Sequence, residues 1–178
     1  MLARFPDRVI RAAKLDVHLY EEVEADREAL RPAMAVVVLS SLAAGVGSIG
    51  RAGPSGIVIG TIAALIGWYV WAYLTYFIGT RVLPEPRTQA DHGQLLRTIG
   101  FSSSPGLIRV FGIIPGLAGP VFLVAAVWML VAMVIAVRQA LDYTSTFRAI
   151  AVCAIGWIIQ TAILVGLFSL LGGFARPV

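Results

Sequence analysis

The amino-acid sequence predicts an all-α fold, a polytopic bundle of about five transmembrane helices with an N-terminal amphipathic helix in the membrane interface. Of the 178 residues, 58% are hydrophobic and only 13% are charged, whereas soluble domains carry about 25% charged residues. The charges are also uneven, since thirteen of the twenty-four Lys, Arg, Asp and Glu residues fall within the first 31 positions. The uncharged tracts that remain are the predicted spans, because a helix needs about 20 residues to cross a bilayer.

The segment 1–31 is predicted to be cytoplasmic and to hold one amphipathic helix from Met1 to Glu24. At about 100° per residue, one face carries almost only apolar side chains, with Asp16 as the exception: Leu2, Phe5, Val9, Ile10, Ala12, Ala13, Val17, Tyr20 and Val23. Charged residues occupy the opposite face. This pattern favours a helix lying in the membrane interface, and the alternative is a helix packed on the protein's own spans.

Residues 32–178 form the predicted membrane domain, with spans at approximately 33–50, 56–78, 94–114, 121–137 and 149–171. Pro32 suits the first turn of a helix, and Gly53 and Pro54 supply the turn before the second span. That span opens with Gly56 and Gly60 at the spacing that allows close helix contact. It ends in an aromatic cluster, typical of a belt at the membrane surface.

The third span is ambiguous, because only eleven uncharged residues separate Arg97 from Arg109 and the run from Ser102 to Gly106 interrupts them. Either 94–114 is a kinked span whose arginines snorkel to opposite interfaces, or 98–108 is a re-entrant piece. With five spans, eleven of the fourteen basic residues lie on the side of the N-terminus. The positive-inside rule therefore predicts a cytoplasmic N-terminus and an external C-terminus in an inner or plasma membrane. A four-span arrangement gives the same count, so charge alone leaves both open.

No catalytic, cofactor-binding or metal-binding residues are predicted. The clear spans contain no Asp, Glu, Lys or His, which argues against a proton-coupled or cation-coupled carrier. The Ser102–Ser104 run lacks a partner histidine, because His18 and His92 lie outside the later spans, and Cys153 is the single cysteine. The prediction is a protein that is not an enzyme and uses no cofactor.

Five residues are candidates for contact with lipid or a partner: Arg97, Arg109, Gly56, Gly60 and Gln160. Arg109 is expected to snorkel to the outer interface if the third segment crosses. If that segment is re-entrant, Arg109 and Arg97 lie side by side and could hold a lipid phosphate or a partner's carboxylate. Gln160 is expected to hydrogen-bond between helices.

Two stretches carry a family resemblance, the run Leu96–Phe101 with Pro105 soon after, and the connection Val137–Ala149. With the charged N-terminus, they make the whole chain similar to the prokaryotic branch of the Yip family, named for Ypt/Rab-interacting proteins. The resemblance implies five spans and a cytoplasmic N-terminus. Eukaryotic relatives act with small GTPases and carry an Asp-Leu-Tyr-Gly-Pro motif, which this sequence lacks, so a GTPase partner is not supported.

The functional expectation is a non-catalytic membrane scaffold or accessory subunit of a larger complex. Its expected partners are membrane lipids and other membrane proteins or further copies of itself, without nucleic acid. The alternative is an oligomeric passive channel or transporter lined by the broken 102–120 region.

Overall fold

The structure, a computed structural model, describes residues 4–173, apart from the side chains of residues 51, 52, 164, 167, 168 and 170–173. Within this range the chain is helical and contains no strand, so the predicted all-α class is confirmed. The helices are α1 (Phe5–Ala13), α2 (Val17–Ala25), α3 (Leu30–Gly47), α4 (Ile49–Phe77), α5 (His92–Phe101), α6 (Ala118–Ala140) and α7 (Thr146–Gly173). Two 3-10 segments, Arg27–Ala29 and Ser104–Ile113, and a π-helical turn, Ile78–Val82, complete the fold.

Four stretches of helix are long and apolar enough to cross a membrane: Arg27–Gly47, Gly53–Val82, Ala118–Ala140 and Thr146–Ile163. They coincide with α3, α4, α6 and α7. Gly53 breaks the start of α4 with a φ of 63°, as the predicted turn requires, because a left-handed backbone favours glycine. The protein is therefore a membrane-helix bundle, while the division at residue 31 and the exact limits of the spans stay predictions.

The N-terminal segment is not one helix, as predicted, but a hairpin of α1 and α2. Leu15 has a φ of 63°, and the Asp16 side chain accepts a hydrogen bond from the His18 backbone at 3.0 Å. Asp16, the misfit on the apolar face, thus caps α2 and starts a new helix. Its neighbours Leu19 and Tyr20 are fully buried against the rest of the protein. The amphipathic pattern of α2 therefore reflects packing on the protein's own helices, the alternative to the interfacial helix.

The third predicted span is a broken segment, in which α5 is followed by the 3-10 segment Ser104–Ile113. It runs beside α3 in the same direction: Gly100 contacts Ala33, Gly106 contacts Ser40 and Gly112 contacts Gly47. Ten α-helical and ten 3-10 residues rise about 35 Å together. The segment therefore follows α3 to its far end without turning back. It is not among the four helices that are long and apolar enough to cross a membrane, so the third span, kinked or re-entrant, stays a prediction.

Most of the buried core lies at one end of the bundle, where the α1–α2 hairpin, the loop 83–91 and the connection 141–145 meet. We call this end of the bundle, with its three connecting segments, the polar end. The Tyr143 hydroxyl donates to the carbonyls of Gly79 and Leu83, at 3.0 and 2.7 Å. The Glu85 carboxylate accepts from the Thr144 amide and hydroxyl, at 2.9 and 2.7 Å. These bonds fix two connections against each other, and hence the spacing of the helices that enter them.

Candidate functional site

A cavity of about 570 Å³, open to its surroundings rather than enclosed, lies between α3, α4, the 3-10 segment, α6 and α7. One wall is a row of small residues on a single face of α4: Gly56, Gly60, Ala64 and Gly67. A Cβ atom placed on Gly60 or Gly67 would have no heavy atom within 4 Å. The close helix contact predicted at Gly60 is therefore wrong within this chain, because that face of α4 borders open space.

The remaining walls combine hydroxyl groups with large apolar side chains. Ser40 and Ser41 of α3 line the cavity, as does Ser48 directly after that helix, and Gln160 and Thr161 line it from α7. The apolar part includes three tryptophans and residues of α6: Trp68, Trp71, Trp157, Phe122, Met129 and Met133. The site is thus amphipathic, with its polar groups concentrated on α3 and α7.

Arg109 brings the only formal charge among the side chains that line this cavity in the described part of the chain. Its backbone oxygen lies at the end of α3, only 1.9 Å from where a Cβ on Gly47 would be. The guanidinium turns back from there, and Nη2 donates to the Ser40 carbonyl at 3.0 Å and to the Ser40 hydroxyl at 2.7 Å. Gly47 and Ser40 are seven residues apart on α3, which corresponds to about 10 Å along the helix axis. Arg109 therefore reaches into the bundle, and the predicted snorkelling to the outer interface is wrong.

Among the residues that the structure describes, no carboxylate pairs with the Arg109 guanidinium. All ten Asp and Glu residues lie at positions 7–28, 85, 91 and 142, and none of them forms an ion pair with Arg109. Its acceptors are neutral oxygens of Ser40 and Gly106. Nη1 has no hydrogen-bond acceptor among the described residues. The positive charge is consequently held in place by neutral groups, and no described side chain neutralises it.

The local sequence explains how Arg109 is delivered to this position. The hydroxyls of Ser102 and Ser104 donate to the carbonyls of Ile99 and Phe101, each at 2.7 Å. Such side-chain bonds compete with helical ones, and Pro105 also removes a backbone donor. Gly106 then allows a tight approach to α3, since a Cβ there would be 2.2 Å from the Ser40 hydroxyl oxygen. The result is a 3-10 segment that lies directly on α3.

Four of the five predicted contact residues, Gly56, Gly60, Arg109 and Gln160, line this one cavity. Arg97 lies elsewhere, at the polar end. Its Nε donates to the Val23 carbonyl at 3.0 Å, and its Nη2 donates to the Glu24 carbonyl. Arg97 therefore satisfies carbonyls at the end of α2 that have no helical partner, and it does not sit beside Arg109. Whether any of the five contacts a lipid or partner stays a prediction.

The structure adds residues that were not singled out from the sequence. Ser40 orients Arg109, and its position within an apolar span, next to Ser41, was the available signal. Of the broken 102–120 region, only Ser103 and Arg109 line the cavity. The other lining residues come from continuous helices.

A second pocket, of about 660 Å³, lies at the polar end and is lined in part by Glu21, Glu24 and Asp142. Burial raises the pKa of Glu24 to about 7, and the negative charge of Asp142 adds to the effect. The described residues contain no group of three or more His, Cys, Asp and Glu side chains able to hold a metal ion.

Comparison with known families finds a match to the Yip1 domain over residues 17–171. The chain belongs to the Yip1 domain family. The matched range of this Yip1 domain covers both stretches that carried the resemblance, 96–101 in α5 and 137–149 between α6 and α7. No curated protein and no solved structure matches the chain. The prokaryotic branch stays a prediction.

Proposed function

We propose that the protein is a non-catalytic integral membrane scaffold or accessory subunit, which binds other membrane proteins or further copies of itself. The observation that carries the proposal is the exposure of α4. In the apolar 18-residue stretch of α4, only 6% of the residues are buried inside the chain, against 33% in the corresponding stretch of α3. A whole face of a spanning helix is therefore available to another protein.

That outer face lies opposite the glycine row and carries large, mostly β-branched or aromatic side chains: Val58, Ile59, Ile62, Ile66, Tyr69, Val70 and Tyr73. Ile59 and Ile66 are 67% and 60% exposed. β-Branched side chains have few rotamers, so their shape changes little when another surface packs on them. Helices associate in membranes chiefly through such van der Waals packing. We call this surface the outer α4 face.

The non-catalytic part of the proposal is supported by the chemistry around the cavity. A membrane hydrolase needs a nucleophile with an adjacent base, and none of the described side chains that line the cavity is an Asp, Glu or His. The side chain of His18 is 85% exposed in an i, i+3 pair with Glu21. His92 packs edge-on against Tyr69 and Tyr73, with ring centroids 5.0 and 5.8 Å apart.

The proposed orientation places the polar end in the cytoplasm and the C-terminus outside an inner or plasma membrane. Arg81, Arg87, Arg138 and Arg148 flank or occupy the connections at the polar end, beside the basic N-terminal segment. This is the basic excess that the positive-inside rule assigns to the cytoplasm. No small GTPase is proposed, since the motif of the eukaryotic relatives is absent from the sequence.

Site-specific photo-crosslinking in the native membrane tests the scaffold. A photoreactive residue at Ile62 on the outer α4 face should give one protein adduct of defined mass. The matched control is Leu123, which is 67% exposed on α6 and should give mainly lipid adducts. Lipid adducts alone from both positions, together with a single-chain particle after mild extraction, would refute the proposal.

The cavity favours a second candidate, a passive channel or transporter formed by oligomers. Its serines and Arg109 offer polar groups inside the membrane, where a solute path needs them. Reconstituted liposomes distinguish the two functions. The channel predicts flux of small anions that Arg109→Gln reduces, and the absence of flux for ions and small solutes would remove it.

A further inference from the structure

We propose that the cavity between α3, α4, α6 and α7 binds a phospholipid, with the lipid phosphate on the guanidinium of Arg109. This site is separate from the outer α4 face and does not depend on a protein partner. It assigns a ligand class to this open cavity.

The charge of Arg109 is the first argument. A cation held inside the membrane costs free energy unless a countercharge or water compensates it. The chain offers neutral oxygens from Ser40 and Gly106, and every carboxylate lies in other segments. The three hydrogen bonds hold the side chain inward, although snorkelling outward would be the ordinary solution for an arginine near a span end. An anion in the cavity supplies the missing charge.

The geometry of the donors is the second argument. Ser40 engages Nη2 and Gly106 engages Nε, which fixes the plane of the guanidinium and leaves Nη1 for a ligand. Guanidinium and phosphate form charge-assisted hydrogen bonds that are shorter and stronger than neutral ones. Gln160 and Thr161 face the same cavity from α7 and can donate to further phosphate oxygens.

Size and wall chemistry select a lipid rather than a free anion. A volume of about 570 Å³ is far more than one phosphate ion fills. Much of the wall is apolar, with Trp71, Phe122 and Met133 facing the cavity, and apolar walls gain little from water. Gly60 and Gly67 leave open space along α4. An amphiphile satisfies Arg109 with its phosphate and these walls with its glycerol and acyl groups.

The test measures binding of dihexanoyl phosphatidic acid to the full chain in nonionic detergent, by its effect on the melting temperature. The wild type should be stabilised saturably, while dihexanoylglycerol, which lacks the phosphate, should stabilise far less. Arg109→Gln should weaken phosphatidic acid binding about tenfold or more, as expected for loss of charge-assisted hydrogen bonds. The control Arg87→Gln removes a surface charge from the loop at the polar end and should bind like the wild type.

A second variant guards against a simple folding defect. Gly67→Phe fills the cavity from the α4 wall and leaves Arg109 intact, so it should also lose lipid binding while the unliganded protein stays folded. Wild-type affinity in both Arg109→Gln and Gly67→Phe, or an equal loss in Arg87→Gln, would overturn the site. Stabilisation by inorganic phosphate at the same concentration would identify a free anion and overturn the lipid. Crosslinking at Ile62 should be unchanged in every variant, so failure here is distinct from failure of the scaffold.

Discussion

Arginine side chains have different partners at the polar end and in the membrane cavity. At the polar end, Arg8 bonds Glu22 and Asp26, at 2.9 and 2.8 Å, and Arg11 pairs with Asp16 at 2.8 Å. In the cavity, Arg109 bonds only neutral oxygens among the described residues. Paired charges at one end join α1 to α2 and stabilise the fold, whereas the unpaired charge inside the bundle remains available to a ligand.

Glycine shows the same contrast. Gly47, Gly100 and Gly106 lie where another segment approaches so closely that a Cβ would clash. Gly60 and Gly67 border open space. The first group allows the segments to pack closely, and the second group leaves the space that the proposed lipid occupies.

The largest expected effect separates these two groups of glycines. In Gly47→Ala, the new Cβ would lie 1.9 Å from the backbone oxygen of Arg109, and a backbone atom cannot move aside without shifting the 3-10 segment. Overpacking of this kind should cost about 3 kcal/mol or more. Gly60→Ala is the matched control and should be close to neutral. Thermal unfolding in mild detergent compares them, and equal melting temperatures would show that the two sets of glycines do not differ.

A smaller effect is expected from breaking the ion pairs at the polar end. Arg8→Met keeps the apolar stem but leaves the carboxylates of Glu22 and Asp26 without this partner, so unfolding should become easier by about 2 kcal/mol. The hydrogen bond from Arg8 also holds the pKa of Asp26 below its usual value. Arg4→Met, at the exposed residue directly before α1, is the control. Proteolysis of the N-terminal hairpin should accelerate only in Arg8→Met, and identical cleavage rates would contradict the pairing.

The connections at the polar end should lose about 1 kcal/mol in Tyr143→Phe. This substitution removes only the hydroxyl group, so the carbonyls of Gly79 and Leu83 lose the donor that they share. Tyr69→Phe removes a hydroxyl group at an exposed position of α4 and should have no effect. The difference between their melting temperatures measures the bond, and its absence would mean that the connection is not held by Tyr143.

The smallest effect is a pH dependence from Glu24. Its pKa of about 7 is raised above the ordinary value of 4.5, by burial first and then by Asp142, Glu21 and Asp91, while Arg97 opposes the rise. The folded protein therefore binds the proton more tightly than the unfolded chain, so stability declines as pH rises from 4.5 to about 7. Glu24→Gln should flatten this decline in melting temperature. Parallel curves for both proteins would show that Glu24 does not titrate there.

Sequence reasoning succeeded for properties that a single segment determines. The lack of charge in α3, α4, α6 and α7 predicted helices that can cross a bilayer, and the serines and Pro105 predicted the break in the third span. Sequence reasoning failed at Asp16, because helical periodicity treats a polar capping residue as an exception on the apolar face and not as the start of a new helix. It also failed for the direction of the Arg109 side chain, since a snorkelling rule considers only the distance to the membrane surface.

By itself, the sequence determined that this is an all-helical membrane protein of the Yip family, because burial in lipid and family motifs depend on the order of residues along the chain. The tertiary structure alone decided that α1 and α2 form a hairpin, that Arg97 holds the end of α2, and that the glycine face of α4 borders a cavity. Those features depend on residues far apart in the chain, such as Ser40 and Arg109, which are 69 positions apart. Helix packing determines which of these residues come into contact, and a local sequence pattern does not contain that information.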